Sequence, residues 1–173
     1  MLTAGMQYPV RVLFLCTGNS ARSQIAEALL AKKGGDRFVV ASAGTTPAAA
    51  VRREAVVALA AGGIDWSTAK PKGLDDVVNE TWDMVITLCD RAVESCPNLP
   101  NHPVTAHWGI PDPSEIPDAA LCAHAFEDTL ALLSWRIDLM LALRTDLLER
   151  LVIEERLKAI AMQAPPSSAS PRT

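Results

Sequence analysis

The reactive side chains of this chain concentrate first in Cys16-Thr17-Gly18-Asn19-Ser20-Ala21-Arg22-Ser23. A cysteine followed at the sixth position by an arginine is a weak pattern alone. It gains weight here because an apolar run leads into the cysteine and a helix-forming stretch follows the arginine. A loop closing onto a helix N-terminus points several backbone N–H groups at one spot, and the helix dipole adds partial positive charge there. The result is a cradle for an oxyanion. Gly18 supplies backbone conformations closed to other residues, Asn19 can bond the loop to itself, and the planar fork of Arg22 can grip two oxygens. Thr17, Gly18, Asn19, Ser20, Ala21, Arg22 and Ser23 are the expected anion-binding residues. Helix N-termini and nearby cations lower a cysteine pKa from about 8.5 to roughly 3.5–7.5. Cys16 is therefore expected as a thiolate nucleophile, with Ser23 donating to its sulfur. The plainer alternative is a buried strand-end cysteine beside a surface arginine.

Three more cysteines follow. Cys89 ends a short apolar run, Cys96 lies seven positions on in a proline-bounded segment, and Cys122 falls early in a long amphipathic stretch. Zinc on Cys89, Cys96, His102 and His107 is disfavoured. Zinc modules usually space paired cysteines two to four residues apart, and six residues intervene here. No metal is assigned, and Cys122 reads as a packed thiol.

These groups need elements to position them. Residues 10–15 (VRVLFL) form a nearly continuous apolar run, the mark of a strand buried on both faces in a parallel sheet. The loop at 16–23 leads into a helix over 24–33, closed by Gly34-Gly35. A strand over 38–42, a helix over 47–61, a loop over 66–74 and a short helix over 75–81 follow. Next come a strand over 83–88, a loop over 90–103, a strand over 104–108 and a proline-rich loop over 109–117. From 119 a helix carries Phe126, Leu130, Leu133, Ile137 and Met140 on one stripe. That pattern runs to about Met162, too long for one globular helix, so a break is expected near 144–150. Residues 1–9 read as an extension, 10–163 as one domain, and 164–173, rich in Pro and Ser, as a disordered tail. Alternating strands and helices imply an α/β fold, a doubly wound four-stranded parallel sheet with helices on both faces. Ligands in such sheets sit at the carboxyl ends of the strands, where Cys16, Cys89 and the loop bearing Asp112 converge.

Composition fits a globular body, with 49% apolar and 21% charged residues in 173. A net charge of −4 argues against a broad nucleic-acid footprint, so any anion site must be local. No basic segment followed by a long apolar one opens the chain, and 130–143 is interrupted by Arg136 and Asp138. A cytoplasmic protein without a membrane span is expected, where cysteines are more often reactive than structural.

The segment CTGNSARSQ after the first strand resembles the oxyanion loop of the low-molecular-weight protein tyrosine phosphatase family. The likeness in element order extends from Val10 to about Leu143. It implies Cys16 as nucleophile and Arg22 as oxyanion clamp, and both phosphate ester hydrolysis and arsenate reduction use such a loop. LCDRAVESCPNLP resembles the redox segment of the thioredoxin-coupled arsenate reductases within that family, and HWGIPDP resembles their acid loop. This second resemblance implies arsenate reduction in which a Cys16–Cys89 disulfide passes to Cys89–Cys96. Thioredoxin would then re-reduce the pair, with glutaredoxin or a small thiol as other possible donors and no bound cofactor. Asp112, between Pro111 and Pro113, becomes the candidate general acid for the departing oxygen; the alternative is a turn carboxylate. Where the phosphatases place aromatic residues after the acid, Ser114 and Glu115 stand here, and the chain has a single tyrosine, Tyr8. Asn19, Glu27 and Ser42 match positions where some family members hold potassium. The remaining readings are a low-molecular-weight phosphatase and a non-catalytic oxyanion- or redox-sensing module, for which the long C-terminal helix would serve a partner.

Overall fold

The computed structural model describes residues 5–166, so residues 1–4 of the extension and 167–173 of the tail lie outside the described part. Four strands, β1 (Val10–Cys16), β2 (Phe38–Gly44), β3 (Met84–Thr87) and β4 (Val104–His107), pair in parallel in the order β2-β1-β3-β4. Five helices accompany them: α1 (Arg22–Gly34), α2 (Arg53–Ala61), α3 (Asp90–Glu94), α4 (Ala119–Leu141) and α5 (Arg150–Met162). This is the expected doubly wound parallel sheet.

The apolar run of β1 is explained by its two neighbours. Val12, Phe14 and Cys16 enter a core shared with α1, α2, α4 and α5, whereas Leu13 and Leu15 enter a second one with Val77, Trp82, Val85 and Ala92. Alternate side chains point to opposite faces, and both faces are covered. Among the described residues the layers are unequal: one face carries four helices, the other only α3, a 3-10 turn at Leu74–Asp76 and Trp82. From β1 the chain goes outward to β2, then returns to β3 on the opposite side of β1. Their carboxyl ends therefore splay around a crevice, the place where such sheets bind ligands.

Three elements differ from the sequence expectation, and a fourth agrees with it. The helix expected over 47–61 begins only at Arg53. The N–H groups of Thr45, Thr46, Ala48 and Arg52 instead donate to the carbonyls of Cys16, Thr17, Gly18 and Ser20 at 2.8–3.1 Å. The helix expected over 75–81 shrinks to the 3-10 turn, because Trp82 is drawn into the core with its Nε1 donating to Val77 O at 3.0 Å. The loop expected over 90–103 opens with α3. The long C-terminal pattern divides between Leu141 and Arg150, in the neighbourhood foreseen, and Thr145 O there accepts from Met6 N at 2.7 Å.

The returning α5 is fixed to the sheet. Buried Trp108 donates from Nε1 to Leu157 O at 2.9 Å, and buried Arg136 donates to Trp108 O at 3.2 Å and Ala161 O at 3.3 Å. No helix among the described residues is long and apolar enough to cross a membrane.

Candidate active site

The cradle is built by turning carbonyls away from it. The segment 45–52 binds the carbonyls of residues 16, 17, 18 and 20 from outside. A trans peptide sets the next N–H opposite to its carbonyl, so the N–H groups that follow face inward. One shows its direction, since Asn19 N donates to Cys16 Sγ at 3.2 Å. Asn19 takes φ 48°, the left-handed region, which lets the loop close on its own cysteine. The loop then passes into α1 at Arg22.

Cys16 Sγ lies 2.7 Å from Ser23 Oγ. Burial pushes the Cys16 thiol up from its ordinary value, while Ser23, the Asn19 N–H and the Arg22 charge pull it down. The expected depression is thus reversed in this site, because Cys16 is 2% exposed and desolvation of the thiolate outweighs its donors. Arg22 donates from its two terminal nitrogens to Ile110 O at 2.8 Å and Asp112 Oδ2 at 3.0 Å. Its Nε is buried with no hydrogen-bond partner among the described residues, which leaves a cationic donor for an anion.

Asp112 faces Arg22 across the crevice. Its other oxygen accepts from Ser114 N at 2.9 Å and Ser114 Oγ at 2.7 Å, capping the 3-10 turn Pro113–Glu115. The carboxyl group is therefore both a turn residue and a neighbour of the clamp, so the two readings of Asp112 are compatible. Cys89, two residues beyond β3, places its Sγ 3.2 Å from Thr17 Oγ1, which brings the second thiol to the rim of the cradle. Cys96 follows α3, half-buried, and burial pushes its thiol up. A cleft of about 600 Å3 opens over Thr17, Arg22, Cys89, Arg91, Asp112 and Glu115.

Other residues fall outside this cluster. Cys122 is buried against the acid loop, its Sγ 3.4 Å from Pro113 O. His107 bridges Thr87 Oγ1 at 2.8 Å and Asp90 Oδ1 at 3.1 Å. The potassium positions do not fit an added cation, because Glu27 already holds Lys72 Nζ at 3.2 Å.

Gly44 is a site residue that sequence reasoning missed. It pairs with Cys16 across β1 and β2, and a Cβ there would stand 2.4 Å from Thr17 O and 2.9 Å from Asn19 N. Both contacts are backbone, so the loop itself would have to shift. Gly44→Ala is expected to lower stability by about 1–3 kcal/mol in denaturant unfolding and to weaken phosphate binding. The available signal was a glycine closing a strand beside a loop that needs close approach.

Residues 11–149, well over half of the chain, match the low molecular weight phosphotyrosine protein phosphatase family. The chain belongs to that family. The arsenate reductase of Bacillus licheniformis is 42% identical over 104 residues, which cover 60% of this chain and 74% of that protein. The solved arsenate reductase from Archaeoglobus fulgidus aligns with a TM-score of 0.62 and 28% identity, over 76% of this chain and 99% of that one. The Corynebacterium glutamicum thioredoxin-dependent arsenate reductase aligns with a TM-score of 0.55 and 31% identity, over 75% of this chain and 62% of that one.

Proposed function

We infer that the chain is an arsenate reductase that works by a thiol relay. The observation that carries this reading is the contact of Cys89 Sγ with Thr17 Oγ1, one residue from the nucleophile. An arsenate dianion entering the cradle meets inward N–H groups and the free donor of Arg22. The Cys16 thiol gives its proton to the oxyanion and its sulfur bonds to arsenic. One arsenic oxygen leaves as water, with Asp112 passing the proton to it. The Cys89 thiol then attacks the Cys16 sulfur. A Cys16–Cys89 disulfide forms, the sulfur–arsenic electron pair stays with arsenic, and arsenite departs carrying the thiol proton.

Cys96 next attacks Cys89, releasing Cys16 and leaving Cys89–Cys96. The five-residue helix α3 stands between the two cysteines, Cys89 before it in extended backbone and Cys96 two residues past its end. Opening of this short helix would let the two sulfurs meet. An external dithiol of the thioredoxin kind reduces the pair and restores the cycle.

A phosphatase would use Cys16, Arg22 and Asp112 and leave Cys89 and Cys96 idle. The residues lining the cleft include no aromatic side chain to hold a phenol ring, which favours a small inorganic substrate. The deciding experiment adds one equivalent of arsenate to fully reduced protein without reductant and maps disulfides by mass. A Cys89–Cys96 bridge is expected; four unchanged thiols would exclude the relay.

A further inference from the structure

The segment that carries the relay thiols also brings a cation to the cleft. Arg91, in the first turn of α3 and two residues past Cys89, lines the cleft over the cradle together with Arg22, Asp90, Asp112 and Glu115. Two cations therefore share that lining with three carboxylates. Arg22 is already neutralised, since its guanidinium sits 3.0 Å from Asp112 Oδ2 and only 9% of its side chain is exposed. Asp90 turns to His107 Nε2 at 3.1 Å. Among the described residues the Arg91 side chain makes no ion pair and no hydrogen bond, although Glu94 lies one turn further along α3. It is the one cation lining the cleft, among those residues, whose charge is not already committed.

A dianion approaching this site meets a charge problem. The chain has a net charge of −4, and once Arg22 and Asp112 are paired the remaining lining holds one more carboxylate than cation. Peptide N–H dipoles act at hydrogen-bond range, whereas charge acts across the cleft, so the cradle alone does not overcome that repulsion at a distance. An uncommitted guanidinium reverses the sign locally and offers a planar fork to two oxygens. The cleft, at about 600 Å3, has far more room than one tetrahedral oxyanion fills, so capture at its wall can precede seating on Arg22. We propose that Arg91 is the capture residue for the substrate oxyanion, drawing tetrahedral dianions into the cleft ahead of the cradle.

Two consequences separate this role from that of a solvated surface arginine. Capture through charge is weakened by salt, and it favours binding rather than the chemical step, because the reacting sulfur and arsenic lie in the cradle. Glu115, an exposed carboxylate on the same lining, acts with the opposite sign and repels what Arg91 attracts. The inference rests on the cradle as an oxyanion site, the reading given above, and not on the thiol relay.

The full reduced chain is titrated calorimetrically with inorganic phosphate at about 0.01 M and about 1 M sodium chloride, where the screening length falls from roughly 30 Å to roughly 3 Å. Arg91→Gln is expected to raise the phosphate Kd about three- to tenfold at low salt and less than about twofold at high salt. Arg91→Lys keeps the charge and stays within about twofold of wild type. Glu115→Gln tightens phosphate at low salt; it carries the test if Arg91→Gln fails to fold, and a Kd that does not fall then overturns the proposal. In arsenate turnover Arg91→Gln raises KM and leaves kcat unchanged. An unchanged low-salt Kd in Arg91→Gln overturns the proposal, as does a loss equal at both salt concentrations or shared in full by Arg91→Lys. Phosphate is not reduced, so a salt-sensitive loss in Arg91→Gln beside four unchanged thiols after arsenate would keep this inference and remove the relay. No phosphate binding by the wild type would remove the cradle and this inference together.

Discussion

Cys16→Ser is expected to lose at least about 10^4-fold in arsenate turnover while still binding inorganic phosphate. The two halves of this result come from different parts of the loop. Anion affinity should come from the inward N–H groups and Arg22 rather than from the sulfur, and a serine oxygen can keep the contacts that Cys16 makes with Ser23 and the Asn19 N–H. Turnover needs a nucleophile that can give up two electrons when arsenic leaves, and an alcohol cannot. Isothermal titration with phosphate beside a steady-state arsenate assay separates the two. Retained turnover would remove Cys16 from the chemistry, and loss of both properties would mean that the loop had collapsed.

The second large effect falls on Cys89→Ser. With thioredoxin as donor, steady-state arsenate reduction should drop by about 10^3-fold, because no internal thiol remains to attack the Cys16 sulfur. Any aryl phosphate hydrolysis by the wild type should persist, since Cys16, Arg22 and Asp112 are untouched and serine preserves a partner for Thr17. Arsenate consumption should halt near one equivalent per chain. Continued multiple turnover would show that an external thiol resolves the adduct directly. That would shift the mechanism toward the glutaredoxin type.

The sequence made the site legible wherever neighbouring residues carry the signal. Cys16, Gly18 and Arg22 sit within one loop, between an apolar strand and a helix-forming run, and short-range chemistry is enough to read them. Cys89 and Asp112 became legible through resemblance and the rule that strand ends gather at one edge. The start of α2 was hidden, because the run Ala48-Ala49-Ala50 favours a helix. The N–H groups of residues 45–52 are claimed instead by carbonyls about thirty positions upstream, a tertiary demand that local propensity does not record. Gly44 was hidden for a related reason, since its constraint comes from the backbone of residues 17–19. The ionisation of Cys16 went the other way from expectation. The helix terminus and Arg22 could be read from spacing, but the depth to which the strand buries the sulfur could not.

The uneven layering of the sheet bears on how the relay can move. Four helices lock one side, with Trp108 and Arg136 fastening the last of them. The relay cysteines belong to the sparsely covered side, where α3 is too short to propagate cooperatively. Rewiring sulfur bonds there draws on a local opening whose cost is small beside that of global unfolding. The molecule can change its covalent connectivity on each cycle while its load of buried apolar surface stays where it is.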